Sequence, residues 1–304
     1  MTSTERATAA APAPGPGQLA GLERMPLRHY GRWISAAVVL TLIALLGMAF
    51  ARGGIEWSVV GHYLTAGAIL HGLGNTVMIT LCSMALAIVL GVVVALMRMS
   101  ANPVTSTVAF GYIWLFRGVP VLLQLLIWYN LALVFPTIGF GDFQTRTIDV
   151  MTPFMAALLG LGINMSAYTA ELVRAGILSV DRGQIEAAQA ISLTPGQIRR
   201  RVVLPQAMRV ILPPLGNEFI STLKMSSLAA VISYGEILES AEFIYYANNR
   251  VIELLIVAAI WYLAVVSVLS VVQHFVERRV GRGFQHSVKR TGRSLGRSGK
   301  GDAA

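Results

Sequence analysis

The chain has 304 residues but only one cysteine and few charged side chains. Because that cysteine, Cys82, lies within an apolar run, the sequence excludes a disulfide framework or a cysteine metal cluster within one chain. Asp, Glu, Lys and Arg make up 13% of the residues, about half the share in an ordinary soluble domain. Long uncharged runs alternate with short charged loops, a pattern typical of a polytopic membrane protein.

The sequence also lacks motifs for binding ATP or for catalysis. Residues 296–301 superficially resemble a phosphate-binding loop, but Ser294 stands where the first glycine is required. Gly301 replaces the Ser or Thr that would hold magnesium. We find no paired-carboxylate site, metal-ligand cluster or nucleophile elbow. We therefore predict no catalytic residue, metal or cofactor, and we expect that the chain cannot hydrolyse ATP itself.

The apolar runs predict an all-α membrane protein with about six transmembrane helices. The first run has no charge over 19 residues, which gives a helix about 28 Å long, enough to cross a bilayer core. We expect a helix near the membrane surface at 104–116 before the third span, and a break at Pro213–Pro214 in the fifth. The predicted spans are 33–51, 76–97, 119–135, 153–173, 207–233 and 251–276.

The parts of the chain differ in composition. Residues 1–32, rich in Ala, Pro and Gly, predict a disordered tail, and 33–51 an extra N-terminal transmembrane helix. Residues 70–282 form the main transmembrane domain, and 283–304 a basic disordered tail near lipid headgroups.

The distribution of Lys and Arg predicts the orientation. Only Arg52, Arg146 and Arg250 fall between spans on one side, whereas most of the 24 Lys and Arg residues fall on the other. Basic residues collect on the cytoplasmic side, so both termini are predicted to be cytoplasmic, and the net charge of +9 does not require nucleic acid. Alternatively, residues 49–51 (Ala-Phe-Ala) are a signal-peptidase site, and the first segment is removed.

A polar segment at 181–205 separates the fourth and fifth spans. Asp181 with Gln184, and Thr194 with Gln197, fit the reciprocal N-terminal capping pattern, in which side chains satisfy the free N–H groups of a helix. Pro195 suits the first position of the second helix. The segment therefore predicts two short helices in one cytoplasmic loop.

Polar side chains within the fourth span are candidates for a substrate path. Asn164, Tyr168 and Glu171 are spaced four and three residues apart and share one helical face. Alternatively, Glu171 simply pairs with Arg174 three residues later.

The fifth span also carries polar groups, among them Lys224, Ser226 and Ser227. Lys224 with Ser227 could bind a carboxylate group of a substrate, and Glu171 with Asn164 an ammonium group. Alternatively, these small and polar residues pack helices together.

Several motifs in their order resemble the polar amino acid uptake branch of ABC importer permeases, over about residues 70–282. They are Phe116-Arg-Gly-Val-Pro120, Asn164-Met-Ser-Ala-Tyr-Thr-Ala-Glu-Leu-Val-Arg174, Gln184-Ile-Glu-Ala-Ala-Gln189, Leu204-Pro205, Leu212-Pro-Pro-Leu-Gly-Asn-Glu-Phe-Ile220 and Leu223-Lys-Met-Ser-Ser-Leu228. The family's loop usually has a glycine where this chain has Ser192; a left-handed backbone there would cost more with serine.

The resemblance implies a permease subunit in the bacterial cytoplasmic (inner) membrane. Its loop, with Glu186, Ala187, Ala188, Leu204 and Pro205, would dock on separate ATPase subunits, alongside a second permease and an extracytoplasmic solute-binding protein. The alternatives are an ion-driven secondary transporter, which would need carboxylates on an ion path, and a structural membrane subunit of another complex.

Overall fold

The computed structural model describes residues 30–141 and 143–281. Its first helix, α1 (Tyr30–Arg52), belongs to a compact unit that ends at Ile55, and a second unit begins at Glu56. The helix starts three residues before the predicted span at 33–51. Residues 1–29 and 282–304 lie outside the described residues, and with them the predicted C-terminal tail and the segment resembling a phosphate loop. The last three residues of the predicted N-terminal tail (1–32) are helical, because α1 begins at Tyr30.

The second unit is built almost entirely of helices and contains one short, exposed hairpin. Its elements are α2 (Trp57–Leu64), α3 (Gly67–Arg98), α4 (Pro103–Gly118), α5 (Val121–Tyr129), β1 (Thr137–Phe140), β2 (Phe143–Arg146), α6 (Thr147–Val150), α7 (Pro153–Leu178), α8 (Arg182–Ala190), α9 (Pro195–Ile198), α10 (Leu204–Met225), α11 (Ile237–Asn248) and α12 (Val251–Gly281).

Four described helices, α1, α3, α7 and α12, are long and apolar enough to cross a membrane. The third predicted span, 119–135, is wrong as a single helix: α4 and α5 form a pair bent by 100°. The nine residues of α5 reach only about 14 Å, so α5 cannot cross a bilayer alone. The helix predicted at 104–116 is the first arm of this pair.

Helices α3 and α7 form the centre of the second unit, and small residues let them approach closely. A Cβ atom on Gly91 would lie 2.7 Å from the Thr169 side chain, and one on Gly162 would lie 2.7 Å from Leu86. Because lipid tails are as apolar as leucine, close packing rather than the hydrophobic effect holds such helices together.

The predicted break at Pro213–Pro214 is wrong, because α10 continues through both prolines. Proline is tolerated within membrane helices where neighbouring helices compensate for the lost hydrogen bonds. Separately from those lost bonds, the Gln273 amide of α12 donates to the Pro213 carbonyl at 2.7 Å, which ties α12 to this part of α10.

The β1–β2 hairpin was not predicted. Its strands pair antiparallel from Thr137 opposite Arg146 to Phe140 opposite Phe143. Gly139 and Gly141 have φ angles of 125° and 58°, a backbone conformation that glycine adopts without steric cost. The hairpin precedes α7 and the 181–205 loop follows it, so they lie at opposite ends of that helix.

Candidate functional site: a capped loop and a charged cavity

The first helix of the 181–205 loop begins as predicted, but with a different capping bond. Asp181 precedes α8, and its carboxylate accepts from the Gly183 N–H at 2.6 Å. Gln184 instead donates its backbone N–H to the Asp181 carbonyl at 3.1 Å. The reciprocal capping predicted for Asp181 with Gln184 is therefore wrong, although Asp181 caps the helix.

The same helix ends in a Schellman motif, a turn that satisfies its last carbonyls. The Leu193 N–H donates to the Ala188 carbonyl at 3.1 Å, and the Ser192 N–H donates to the Gln189 carbonyl at 2.8 Å. This motif needs a left-handed residue, and Ser192 supplies it with φ 58°. The left-handed backbone considered for Ser192 is thus present, and serine carries a conformational cost that glycine avoids.

The second helix of the loop has the full predicted capping box. The Gln197 N–H donates to the Thr194 hydroxyl at 3.4 Å, and the Thr194 N–H donates to the Gln197 side-chain carbonyl at 2.9 Å. Pro195 occupies a first-turn position of α9. Residues Arg199–Val203 form a π-helical turn that leads directly into α10. The loop is therefore continuous with a long helix of the core.

One side of the loop is anchored and the other is exposed. Ala188 and Ile198 are buried, and Ile185 and Val203 pack against the hydrophobic cluster around α3, α4, α7 and α10. The other residues of the predicted docking set are exposed: Glu186, Ala187, Ser192, Leu204 and Pro205. The side chain of Ile191 is also 71% exposed. The loop thus presents an exposed face and is anchored to the core by its buried side.

A charged cavity of about 550 Å³ lies between α3, α4 and α7. It contains three guanidinium groups and one carboxylate, and Arg174 donates to Glu171 at 2.8 and 3.1 Å. The alternative that these two residues pair is confirmed. The cavity is lined by Arg98, Phe110, Ile113, Trp114, Arg117, Gly118, Tyr168, Glu171 and Arg174.

The candidate residues of α7 divide between this cavity and the core. Tyr168 and Glu171 line the cavity. Asn164 is buried, and its amide donates to the Phe116 carbonyl at 2.7 Å. This hydrogen bond holds the bend between α4 and α5, and Asn164 does not line the cavity.

The candidates on α10 and on the 3₁₀ helix that follows it (Ser226–Ile232) do not line the cavity. The Ser226 hydroxyl donates to the Leu223 carbonyl at 2.7 Å, and the Ser227 hydroxyl donates to the Lys224 carbonyl at 2.9 Å. Both hydroxyl protons are therefore used within their own helical segment. Lys224 is exposed and takes part in no ion pair among the described residues.

Sequence reasoning missed Arg98 and Arg117 as lining residues, because it assigned them to loops. Arg98 lies over the Phe110 ring at 5.3 Å and donates to the Ser106 hydroxyl at 2.7 Å. Arg117 lies over the Tyr168 ring at 4.8 Å. An arginine next to long apolar runs was the available signal. Within the described residues, no group of three or more His, Cys, Asp or Glu side chains is placed to hold a metal ion.

Comparison with known proteins assigns the chain to a family. The sequence profile of the binding-protein-dependent transport system inner membrane component matches residues 87–282, more than half of the chain. The chain belongs to this family. It is thus a multi-pass membrane component of an ABC importer rather than the ATPase or another enzyme, which confirms the predicted class and the all-α membrane fold.

Individual relatives cover most of the chain. The arginine transport system permease protein ArgU of Corynebacterium glutamicum is 40% identical over 88% of this chain and 87% of its own length. The L-cystine transport system permease protein TcyB of Bacillus subtilis is 38% identical over 69% and 86%. A crystal structure of an amino acid ABC transporter with histidines matches with a TM-score of 0.62 and 36% identity, over 70% of this chain and 94% of that chain.

Proposed function

We propose that the chain is the permease subunit of an ATP-driven importer for a polar amino acid or a related compound, and that its 181–205 loop docks on a separate ATPase. The observation that carries this proposal is the burial of one side of the loop and the exposure of the other. One side is buried against the core, and the other exposes Glu186 and Ala187 together with apolar Ile191 and Leu204. Exposed apolar residues beside charged ones are typical of a protein-binding surface.

The connections of the loop suggest how a conformational change in the ATPase is transmitted to the membrane helices. Helix α8 follows α7 after a short turn, and α9 continues through the π-helical turn into α10. Closure of an ATPase dimer would therefore move α7 and α10 together with the loop. Helix α7 carries Tyr168 and Glu171, and α10 packs against α7, so the motion would reach a candidate substrate path.

The substrate class rests on the relatives and on the cavity. ArgU and TcyB are named for arginine and L-cystine, both of which are amino acids with charged groups. A cavity of about 550 Å³ lies within the range of small-molecule sites. We keep Tyr168 and Glu171 as path residues on this support; Asn164, Lys224, Ser226 and Ser227 remain predictions.

The complete transporter would contain further subunits. We propose two ATPase subunits, a second permease that is identical or homologous, and an extracytoplasmic solute-binding protein. Both termini and the 181–205 loop would face the cytoplasm, because Arg199, Arg200 and Arg201 lie in the loop and basic residues favour that side.

Reconstitution tests this function. The chain would be placed in proteoliposomes with its ATPase and binding protein, and uptake of radiolabelled L-arginine, L-cystine and L-glutamine would be measured. We expect ATP-dependent uptake of at least one of them, and none from the chain alone. Uptake driven by a proton or sodium gradient without the ATPase would instead identify a secondary transporter.

A further inference from the structure

Arg117 lies at the bend between α4 and α5, and two amide side chains hold this bend in place. The Phe116 carbonyl has no partner four residues ahead, because Pro120 has no N–H. Asn164 donates to this carbonyl at 2.7 Å and Gln124 donates to it at 3.1 Å. Gln124 also donates to the Val119 carbonyl at 2.9 Å. The backbone on both sides of Arg117 is therefore fixed at the bend between α4 and α5.

The guanidinium of Arg117 is oriented but has no hydrogen-bond partner among the described residues. Its central carbon lies 4.8 Å from the centre of the Tyr168 ring, where a cation is attracted to the ring face. Arg98 and Arg174, by contrast, donate to Ser106 and Glu171. The planar guanidinium of Arg117 thus keeps its N–H donors available in a cavity wall.

The charge of the cavity favours an anionic group. Glu171 already pairs with Arg174, so Arg98 and Arg117 contribute positive charge that no cavity carboxylate neutralises. Glu218 on α10 is close enough to Arg117 for their charges to interact, but it accepts from the Thr169 hydroxyl at 3.1 Å and forms no ion pair within 4.0 Å in the described part. A guanidinium matches a carboxylate with two parallel hydrogen bonds.

We infer that the Arg117 guanidinium binds the α-carboxylate of the transported amino acid, with the Tyr168 ring holding the guanidinium in position. This inference rests on the proposed function. The α-carboxylate is the group that all amino acids share, so this contact would not depend on the side chain of the substrate. It also replaces the predicted pairing of Lys224 with Ser227 as carboxylate donors, because Lys224 does not line this cavity and the Ser227 proton is already used.

The test uses the purified complex of permease and ATPase in nanodiscs, without the binding protein. The probe is whichever of L-arginine, L-cystine and L-glutamine the reconstituted transporter takes up, and its competitor is the analogue in which an amide replaces the α-carboxylate. Equilibrium binding of both compounds is measured for the unchanged chain, Arg117→Gln, Arg117→Lys and the control Arg146→Gln, whose arginine is exposed on the hairpin outside this cavity. Gel filtration checks that each variant keeps its ATPase.

The unchanged complex should bind the acid about 10- to 100-fold more tightly than the amide, the range for hydrogen bonds to charged groups. Arg117→Gln should lose this preference and Arg117→Lys should keep part of it. Arg146→Gln should keep all of it, because Arg146 does not line the cavity. An unchanged preference in Arg117→Gln would overturn the inference, as would an equal loss of binding for acid and amide. If the unchanged transporter takes up none of the three amino acids, the proposed function fails first and the inference with it.

Discussion

The bend at Phe116 makes a quantitative prediction about paired substitutions. Asn164 and Gln124 both donate to the Phe116 carbonyl, at 2.7 and 3.1 Å, so either one alone leaves that carbonyl bonded. Asn164→Leu should lower the free energy of unfolding by about 0.6 kcal/mol, the average for a hydrogen bond between membrane helices. Gln124→Met should lower it by about twice as much, because it also loses the bond to the Val119 carbonyl. The double variant leaves the carbonyl without a partner and adds the penalty of an unpaired buried polar group, about 1–3 kcal/mol.

The assay is a double-mutant cycle on the purified chain. Unfolding in mixed micelles is followed by far-UV circular dichroism as the SDS fraction rises, for the unchanged chain, both single variants and the double variant. We expect the double variant to lose at least about 1 kcal/mol more than the sum of the single losses, a coupling within the range for groups in one network. Single losses that simply add would show that the two amides do not share this carbonyl, and would refute the account of the bend.

Three further predictions concern the loop, the topology and Lys224. Ser192→Gly should stabilise the chain by about 1 kcal/mol, because glycine removes the left-handed cost, whereas Ser192→Val should weaken ATPase binding; equal behaviour of both variants in unfolding and pull-down assays would contradict this. In a Cys82→Ala background, cysteine at Gln144 should react with an impermeant reagent from outside and cysteine at Gln189 only after permeabilisation; the reverse labelling would overturn the orientation. Lys224→Met should leave uptake and ATPase binding unchanged, because Lys224 does not line the cavity that contains Arg117; reduced uptake with the ATPase still bound would make Lys224 a path residue.

The sequence predicted best the features that depend on neighbouring residues. The capping box of Thr194 with Gln197 forms because its partners lie three positions apart. Asp181 follows the same local pattern, yet its carboxylate bonds Gly183, because nearby N–H groups compete for one acceptor. Local chemistry thus identified the loop helices and their order, but not every bond within them.

Features that depend on distant partners could not be predicted in this way. Asn164 is 48 residues from Phe116. Their hydrogen bond holds the bend between α4 and α5, where the sequence predicted a surface helix followed by a full span. Gln273 reaches the Pro213 carbonyl across 60 residues, next to prolines that were expected to break the helix. Arg117 was assigned to a loop by its charge, and only the packing of α4 on α7 reveals it in a cavity wall.

The central claim is that the exposed face of the 181–205 loop docks on the ATPase. The most direct measurement is co-purification of the tagged permease with its ATPase, comparing Glu186→Lys with the control Gln144→Lys, which makes an exposed residue of the hairpin positive. The account predicts that Glu186→Lys inserts normally but loses most of its bound ATPase, while the control keeps it. Full retention of the ATPase by Glu186→Lys would contradict the claim.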